Sequence, residues 1–231
     1  MYESNRIKYL GSYFDPDSVI SRQISKAISG RHYSSVLDYG AGNSPYKPYV
    51  SCDRYVTADI TPSVTQCIDL LILPGEKLKI ADASFDLILL LDVLEHVPDP
   101  TYVFAELRRL IKPGGSIIIS LPFIVREHET PNDYRRYTYF GIKKLISDNG
   151  AEILRFEKIG NVYYTLVTLF LERSVYNGER SALGFTGKIM NRLVLFLFAL
   201  FRRFLSAKPP IDAGCYHHLL MEIRFQKVGA D

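Results

Sequence analysis

The sequence of 231 residues predicts an α/β fold, a doubly wound and mostly parallel seven-stranded sheet with a hydrophobic helical insertion before the last strand. Apolar strand-like runs alternate with helix-like stretches, which is typical of a parallel sheet covered by helices on both faces. Residues 85–91 form an almost continuous apolar run, as in a strand buried on both faces. The first strand also runs directly into a turn with two glycines, as in a ligand-binding loop.

Each element follows from local signals. The strands are expected near residues 34–38, 55–59, 66–70, 85–91, 116–121, 151–159 and 217–226. The helices are expected at about residues 15–29, 101–111 and 138–149. Gly30 and Gly150 are favoured stop residues for the first and the last helix. The stretch Lys112–Gly115 (Lys-Pro-Gly-Gly) is expected to close the middle helix before the next strand begins.

The turn after the first strand indicates the class of ligand. Gly40 and Gly42 let the backbone turn sharply and approach a ligand closely. The third glycine of the dinucleotide fingerprint G-x-G-x-x-G is missing, because Gly42 is followed by Asn43-Ser44-Pro45. Asp38 precedes the turn, where its charge would repel a pyrophosphate but not a cationic ligand. The combination favours a sulfonium nucleoside over NAD.

A second acid supports a nucleoside site. Asp59 ends the next predicted strand, 17 residues after Gly42, where a carboxylate can accept both ribose hydroxyls. Ligands of parallel sheets bind beyond the carboxyl ends of the strands. Gly40, Asp59, Asp92 and the loop after Leu121 are therefore expected to converge there.

Four segments in this order, DYGAG, TADI, SFDLILLLDVLEHV and LRRLIKPGGSIIISLPF, resemble a class I S-adenosylmethionine-dependent methyltransferase of the methyltransferase domain 11 type, with a Rossmann-like fold. The run H-x-x-P-x-D-Y-x-R-Y-T at residues 128–138 resembles a bacterial branch associated with cell-surface polysaccharide and glycolipid biosynthesis. The resemblance covers about residues 30–160 and the last strand. We therefore expect a single domain. It would consist of an N-terminal helical segment (1–33), a cofactor-binding core (34–160), a hydrophobic insertion or lid (161–212) and the last strand (213–231).

The resemblance implies S-adenosylmethionine as the cofactor and a set of contacts with it. The cofactor-binding residues would be Asp38, Gly40, Gly42, Asn43, Asp59, Ile60, Asp69, Leu70 and Asp92. Asp69 with Leu70 corresponds to the step that faces the adenine, although Leu78-Lys79-Ile80 follows nine residues after Asp69 rather than about four. Glu76 is an alternative for this contact.

The candidate catalytic residues are His96, His128, Asp133 and Arg136. A hydroxyl acceptor needs a base, and histidine has the free pKa nearest to physiological pH. The alternative for each histidine is a structural, hydrogen-bonded imidazole. Asp133 and Arg136 would either form an ion pair that fixes the loop or grip an anionic or sugar acceptor.

No metal ligand is assigned from the sequence, but one alternative is open. If the stretch after Asp92 is helical, Asp92 lies one turn from Glu95 and His96. Together with His128, these residues could hold a divalent ion that activates a hydroxyl acceptor.

Composition narrows the classes of partner. A net charge of +3 without a basic run gives no reason to expect nucleic acid. Cys52, Cys67 and Cys215 lack a C-x-x-C spacing and indicate reduced packing residues in a cytoplasmic protein. The first residues lack the apolar segment of a secretion signal.

The insertion contains the apolar run Leu193–Phe201, which has basic residues on both sides. Nine apolar residues are too few to span a bilayer, which needs roughly 20. The run is expected either to form a lid or a homodimer interface, or to contact the inner face of the membrane through residues 189–205.

The predicted function is O-methylation of a hydroxyl on a cell-surface glycan or a lipid-linked precursor. Two alternative acceptors are a quinone or lipid-like small molecule, and the 2'-hydroxyl of RNA. A non-catalytic cofactor-binding partner in a glycan-assembly complex is the alternative from another class, and an NAD-dependent sugar oxidoreductase is disfavoured by the missing third glycine.

Overall fold

A computed structural model describes residues 16–60, 68–162 and 215–226, together with positions 165 and 169. In these parts the α-helices are α1 (Pro16–Ile28), α2 (Pro100–Leu110) and α3 (Tyr139–Asp148). The strands are β1 (His32–Tyr39), β2 (Ser51–Asp59), β3 (Leu70–Leu71), β4 (Phe85–Leu91), β5 (Ile111–Pro122), β6 (Ala151–Ile159) and β7 (His218–Phe225). Two short 3₁₀ turns lie at Lys47–Tyr49 and Leu94–His96.

All seven strands belong to one sheet, in the order β3-β2-β1-β4-β5-β7-β6. The pairs from β3 to β5 are parallel, whereas β7 runs antiparallel to both β5 and β6. The predicted fold class of a seven-stranded, mostly parallel sheet with flanking helices is thereby confirmed. The carboxyl ends of β1, β2, β4 and β5 lie at the same edge of the sheet, because parallel strands end together.

The central strand β4 is buried on both faces, as its continuous apolar run predicts. Leu87 and Leu89 pack with α1 on one face. Ile88 and Leu90 pack with α2 and α3 on the other face. All four side chains are fully buried. Burying a leucine or isoleucine contributes about 1.5–3 kcal/mol, so this strand anchors the sheet edge that carries the site.

The structure moves the start of two predicted strands toward the N-terminus: β2 begins at Ser51 rather than near residue 55, and β5 also begins earlier than expected. β5 begins at Ile111, and Lys112–Gly115 lies inside it rather than in a loop before it. Ile111 already pairs with Phe85, while Ser116 pairs with Leu87, so the register shifts across the Lys-Pro-Gly-Gly stretch. The prediction that this stretch separates helix from strand was wrong, because Ile111 joins the sheet directly after the helix ends.

Parts of the predicted third strand and most of the predicted insertion lie outside the residues that the structure describes. β3 comprises only Leu70–Leu71, and residues 61–67 lie outside the described residues. Most of the predicted insertion at residues 161–212, including the candidate membrane segment 189–205, also lies outside them. Within the described part of the chain, no helix has the length and apolar character needed to cross a membrane. The division into segments stays a prediction.

Candidate functional site

The glycine turn is fastened to the end of β2. The backbone N–H groups of Gly40 and Ala41 both donate to the carbonyl oxygen of Ala58, at 2.8 and 3.1 Å. The N–H of Gly42 donates to Oδ2 of Asp59 at 2.8 Å. The structure therefore brings the two predicted glycines and the predicted ribose carboxylate together.

The two glycines share a left-handed backbone conformation but differ in how closely neighbouring side chains approach them. Both have positive φ values, +78° at Gly40 and +51° at Gly42, a region that disfavours L side chains. A Cβ atom at Gly40 would also lie 2.4 Å from Cγ2 of Val93. A Cβ atom at Gly42 would meet nothing within 4 Å. The turn thus packs tightly at its start and is open at Gly42, where a ligand can approach the backbone.

Asp38 is buried beneath the turn. Its side chain accepts a hydrogen bond of 2.8 Å from the hydroxyl of Tyr55. Burial raises the pKa of Asp38 to about 6, although hydrogen bonds from Tyr55 and Ser44 act in the opposite direction. At neutral pH the carboxylate is mostly ionised, and it favours a cationic group near the turn.

The predicted adenine contacts are less well supported by the geometry. Oδ2 of Asp69 accepts hydrogen bonds from the backbone N–H and the hydroxyl of Thr57, at 2.8 and 2.9 Å. This carboxylate therefore fastens the start of β3 to β2. Ile60 follows β2 and is 61% exposed, so it is available to an apolar ligand. The cofactor contacts of Asn43, Ile60, Asp69, Leu70 and Glu76 stay predictions.

Asp92 has a left-handed backbone, with a φ of +54°, immediately after β4. Its Oδ1 accepts a hydrogen bond of 2.7 Å from the hydroxyl of Ser120 and lies 3.7 Å from Nε2 of His218. The 3₁₀ turn begins only at Leu94, so Asp92 is not part of a helix that contains Glu95 and His96. The condition for the four-residue metal site is therefore not met at Asp92.

The two predicted histidines meet at the same edge of the sheet. Nε2 of His96 lies 3.2 Å from Nε2 of His128. Nδ1 of His96 lies 2.9 Å from the carbonyl oxygen of Asn132. Nδ1 of His128 lies 3.2 Å from the carbonyl oxygen of Arg126 and 3.3 Å from Oδ2 of Asp133. Each ring is held through Nδ1, so the Nε2 atoms are the ones directed at the shared space.

Asp133 and Arg136 order the loop that carries His128. Asp133, whose side chain is only 2% exposed, accepts hydrogen bonds from both terminal nitrogens of Arg136 and from the backbone N–H of His128. Arg136 lowers the pKa of Asp133 to about 2. Arg136 also donates to the carbonyl oxygen of Arg126 at 3.0 Å. Because both terminal nitrogens are engaged inside the loop, the geometry favours the ion-pair alternative over a grip on the acceptor.

Glu95 stands beside the two histidines, and from the sequence it was considered only as a metal ligand. Its side chain is fully buried, and Oε1 lies 3.8 Å from Nε2 of His96 and 3.9 Å from Nε2 of His128. Burial, together with the nearby charge of Asp92, raises the pKa of Glu95 to about 9. The sequence feature that could have indicated a buried carboxylate is the position of this acid inside the apolar stretch around Leu94.

The sequence analysis missed three residues that position the site. Tyr55 binds Asp38, Thr57 binds Asp69 and Ser120 binds Asp92. All three lie inside strands, where a hydroxyl residue is common and carries no motif. No sequence pattern distinguishes them.

Residues 37–119 match the family described as "Methyltransferase domain". This segment is similar to a methyltransferase domain. A ubiquinone biosynthesis O-methyltransferase of Xanthomonas oryzae is 49% identical over 37 residues, which are 16% of each chain. The chain thus matches about a sixth of the length of that curated relative.

Solved structures with this fold include methyltransferases. A candidate methyltransferase of Bacillus halodurans has a TM-score of 0.54 at 14% identity, covering 88% of this chain and 97% of that one. The 1,6-didemethyltoxoflavin-N1-methyltransferase of Burkholderia thailandensis, solved with S-adenosylhomocysteine, has a TM-score of 0.50 at 16% identity, covering 89% and 77%. The similarity of residues 37–119 to a methyltransferase domain, together with this fold, supports the predicted enzyme class and its cofactor, S-adenosylmethionine.

The residues present fit this cofactor. The glycine turn is open at Gly42, Asp59 presents a carboxylate beside it, and the buried charge of Asp38 favours a cationic ligand. These features suit the amino acid part, the ribose and the sulfonium of S-adenosylmethionine. A pyrophosphate would be repelled by the carboxylates of Asp38 and Asp59, and the third glycine of the dinucleotide fingerprint is missing.

Proposed function

We propose that this methyltransferase transfers the methyl group of S-adenosylmethionine to a hydroxyl of a cell-surface glycan or a lipid-linked precursor. The observation that carries O-methylation is the pair of Nε2 atoms of His96 and His128, which share one space at the carboxyl edge of the sheet. When bound, the cofactor supplies an electrophilic methyl group on a sulfonium.

The side chains at this edge would manage the proton of the acceptor. Methylation of the hydroxyl would break the sulfur–methyl bond of the sulfonium and leave S-adenosylhomocysteine, and Nε2 of His128 or His96 would accept the proton of the hydroxyl. Asp133 supports His128 through the backbone N–H at 2.9 Å and through Nδ1 at 3.3 Å. The carbonyl oxygen of Asn132 holds His96 at 2.9 Å. These contacts fix both rings before an acceptor binds.

The glycan or lipid-linked acceptor rests on the resemblance of residues 128–138 to the polysaccharide-associated branch. A quinone is the second candidate acceptor, supported by the 37-residue similarity to the Xanthomonas oryzae ubiquinone enzyme. The two acceptors differ in solubility and in fractionation, so an experiment can separate them.

The first test is calorimetric titration with S-adenosylmethionine, S-adenosylhomocysteine and NAD in parallel. We expect micromolar binding of the first two and none of NAD. Radiolabelled methyl transfer into glycan, glycolipid and quinone fractions of a bacterial extract then identifies the acceptor. Cofactor binding without transfer to any fraction would favour the non-catalytic partner, and NAD binding would contradict the proposal.

The second test separates catalysis from binding. His128→Ala should lower turnover at least a hundredfold while the affinity for S-adenosylmethionine changes less than threefold, because a general base contributes about 10²–10⁴-fold. His32→Ala is the matched control, since His32 also pairs with a carboxylate, Asp53, but at the opposite end of the sheet. Equal losses of affinity and turnover in His128→Ala would indicate a structural role.

A further inference from the structure

Three donor atoms form a triangle at the carboxyl edge of the sheet. Nε2 of His96 and Nε2 of His128 are 3.2 Å apart, and Oε1 of Glu95 lies 3.8 and 3.9 Å from them. A point equidistant from the three atoms lies about 2.1 Å from each, the usual bond length from a divalent transition metal to imidazole nitrogen or carboxylate oxygen. We propose that Glu95, His96 and His128 bind a divalent transition-metal cation.

The hydrogen bonds of the two rings fix which nitrogens are available. Nδ1 of His96 faces only a carbonyl oxygen at 2.9 Å. Nδ1 of His128 faces a carbonyl oxygen at 3.2 Å and a carboxylate at 3.3 Å, with a guanidinium nitrogen of Arg136 farther away at 3.4 Å. Carbonyl and carboxylate oxygens accept hydrogen bonds, so Nδ1 of His96 carries the proton of a neutral ring, and the two nearer acceptors favour the same tautomer in His128. In this tautomer the two Nε2 lone pairs point at each other across 3.2 Å, and a positive charge between them, either a cation or an extra proton, relieves their repulsion.

The buried carboxylate of Glu95 is the second and independent observation. Its side chain is 0% exposed, and neither Oε1 nor Oε2 has a hydrogen-bond partner among the described residues. A buried carboxylate without partners is costly, and such groups usually pair with a charge or coordinate a metal. A cation at the centre of the triangle would replace the proton that burial favours on Glu95 and bind the ionised carboxylate.

The surroundings are those of metal-binding histidines. Such histidines usually donate Nδ1–H to a carbonyl or carboxylate, which fixes the tautomer and orients the ring. His96 has the carbonyl oxygen of Asn132 in this position, and His128 has the carboxylate of Asp133. The backbone N–H of Tyr134 donates to the carbonyl oxygen of Glu95 at 2.9 Å, which ties the His128 loop to the turn that carries the other two ligands.

Two imidazoles among three ligands favour transition metals such as Co²⁺ and Zn²⁺ over Mg²⁺ and Ca²⁺, with Mn²⁺ the weakest binder of the three transition metals. Three protein ligands also leave coordination positions open, as in catalytic metal sites. The side chain of Glu129 is largely exposed, and its Oε2 lies 3.8 Å from Nε2 of His96, so it could occupy one of the open coordination positions. An acceptor hydroxyl could take another, where the metal would lower its pKa; with metal bound, the two Nε2 atoms hold the metal and no longer serve as the proton acceptor. This last step rests on the proposed function, whereas metal binding does not.

The test is calorimetric titration of the chelator-treated protein with MnCl₂, CoCl₂ and ZnCl₂ separately, without cofactor or acceptor. We expect one equivalent to bind per chain for at least one of the three metals, more weakly for MgCl₂. Glu95→Gln and His128→Ala should each weaken binding at least tenfold, while His32→Ala should bind as the wild type does. Wild-type protein that binds none of the metals, or that binds them as Glu95→Gln and His128→Ala do, would overturn the proposal and leave a shared proton between the rings.

Two further measurements keep the test decisive. Thermal unfolding with and without metal checks the fold of each variant, and metal should raise the melting temperature of the wild type but not of His128→Ala. If Glu95→Gln fails to fold, His128→Ala carries the comparison, because His128 lies on a loop with 30% of its side chain exposed. Metal binding without methyl transfer would contradict only the proposed function, and transfer by a protein that binds no metal would contradict only the metal site.

Discussion

The backbone N–H of Gly42 donates a hydrogen bond of 2.8 Å to the carboxylate of Asp59, which joins the glycine turn to the end of β2. The carboxylate is thereby oriented before any ligand binds. Asp59 also directly follows Ala58, whose carbonyl oxygen accepts hydrogen bonds from the backbone N–H groups of Gly40 and Ala41. The turn and the acid that is predicted to bind the ribose are therefore joined by hydrogen bonds.

Asp59→Ala should weaken the binding of S-adenosylmethionine and S-adenosylhomocysteine at least tenfold. The variant loses hydrogen bonds between a carboxylate and the ribose hydroxyls, each worth about 1.5–3 kcal/mol. Calorimetry measures the affinities, and circular dichroism should show an unchanged fold. The control is Asp53→Ala, which removes an exposed carboxylate near the start of the same strand. Unchanged affinity in Asp59→Ala would remove this residue from the site.

Gly40→Ala should destabilise the protein more than Gly42→Ala. At Gly42 the cost is the left-handed backbone alone, about 1–2 kcal/mol. At Gly40 a Cβ atom would additionally lie 2.4 Å from Cγ2 of Val93, a stiff β-branched side chain, and overpacking costs about 1–3 kcal/mol more. Urea unfolding of both variants gives the difference. The double variant Gly40→Ala with Val93→Ala should not show the overpacking loss, and equal losses in the two single variants would contradict the packing argument.

The affinity for S-adenosylmethionine should fall as the pH drops through about 6. Burial raises the pKa of Asp38 to about 6, so its negative charge is present above that pH and is lost below it. S-adenosylhomocysteine, which lacks the sulfonium charge, should be affected less. Titrations between pH 5 and pH 8 measure the ratio of the two affinities. In Asp38→Asn the ratio should be nearly constant, and a wild-type ratio that does not change with pH would exclude a charge interaction.

Asp86 should stabilise the fold at neutral pH and lose this effect in acid. Although burial alone would raise its pKa, hydrogen bonds from Ser34, Lys112 and Ser35 lower the pKa of Asp86 to about 2. The folded pKa lies below the usual value of 3.8, so the stabilisation is present above about pH 4 and is lost as the pH falls toward 2. We expect Asp86→Asn to lower the free energy of unfolding by about 1–2 kcal/mol at pH 7.

Urea unfolding at pH 7 and near pH 3 checks this prediction. The difference between the wild type and Asp86→Asn should shrink at the lower pH. Asp148→Asn is the control, because Asp148 forms an exposed i,i+4 pair with Lys144, worth about 0.3–0.5 kcal/mol. A difference for Asp86→Asn that is the same at both pH values would show that its effect is not electrostatic.

The amino-acid sequence alone determined the fold class, and it predicted the glycine turn and Asp59, which the structure brings together. Alternating apolar runs specify strands and helices locally, and a glycine turn with acids at fixed spacing places Gly40, Gly42 and Asp59 at one sheet edge. The continuous run at residues 85–91 likewise predicted the doubly buried strand β4. These features depend on short stretches of chain, so their patterns can be recognised in the sequence without the tertiary structure.

Only the tertiary structure decided how the second half of the site is arranged. Glu95 and His128 are 33 positions apart, yet Oε1 and Nε2 lie 3.9 Å from each other because the loop after β5 folds back onto the 3₁₀ turn. The sequence offered Asp92 as a partner of Glu95, but the left-handed backbone of Asp92 turns it toward Ser120 instead. Burial of Glu95 and the tautomers of the two histidines depend on contacts among distant segments, and no local spacing encodes such contacts.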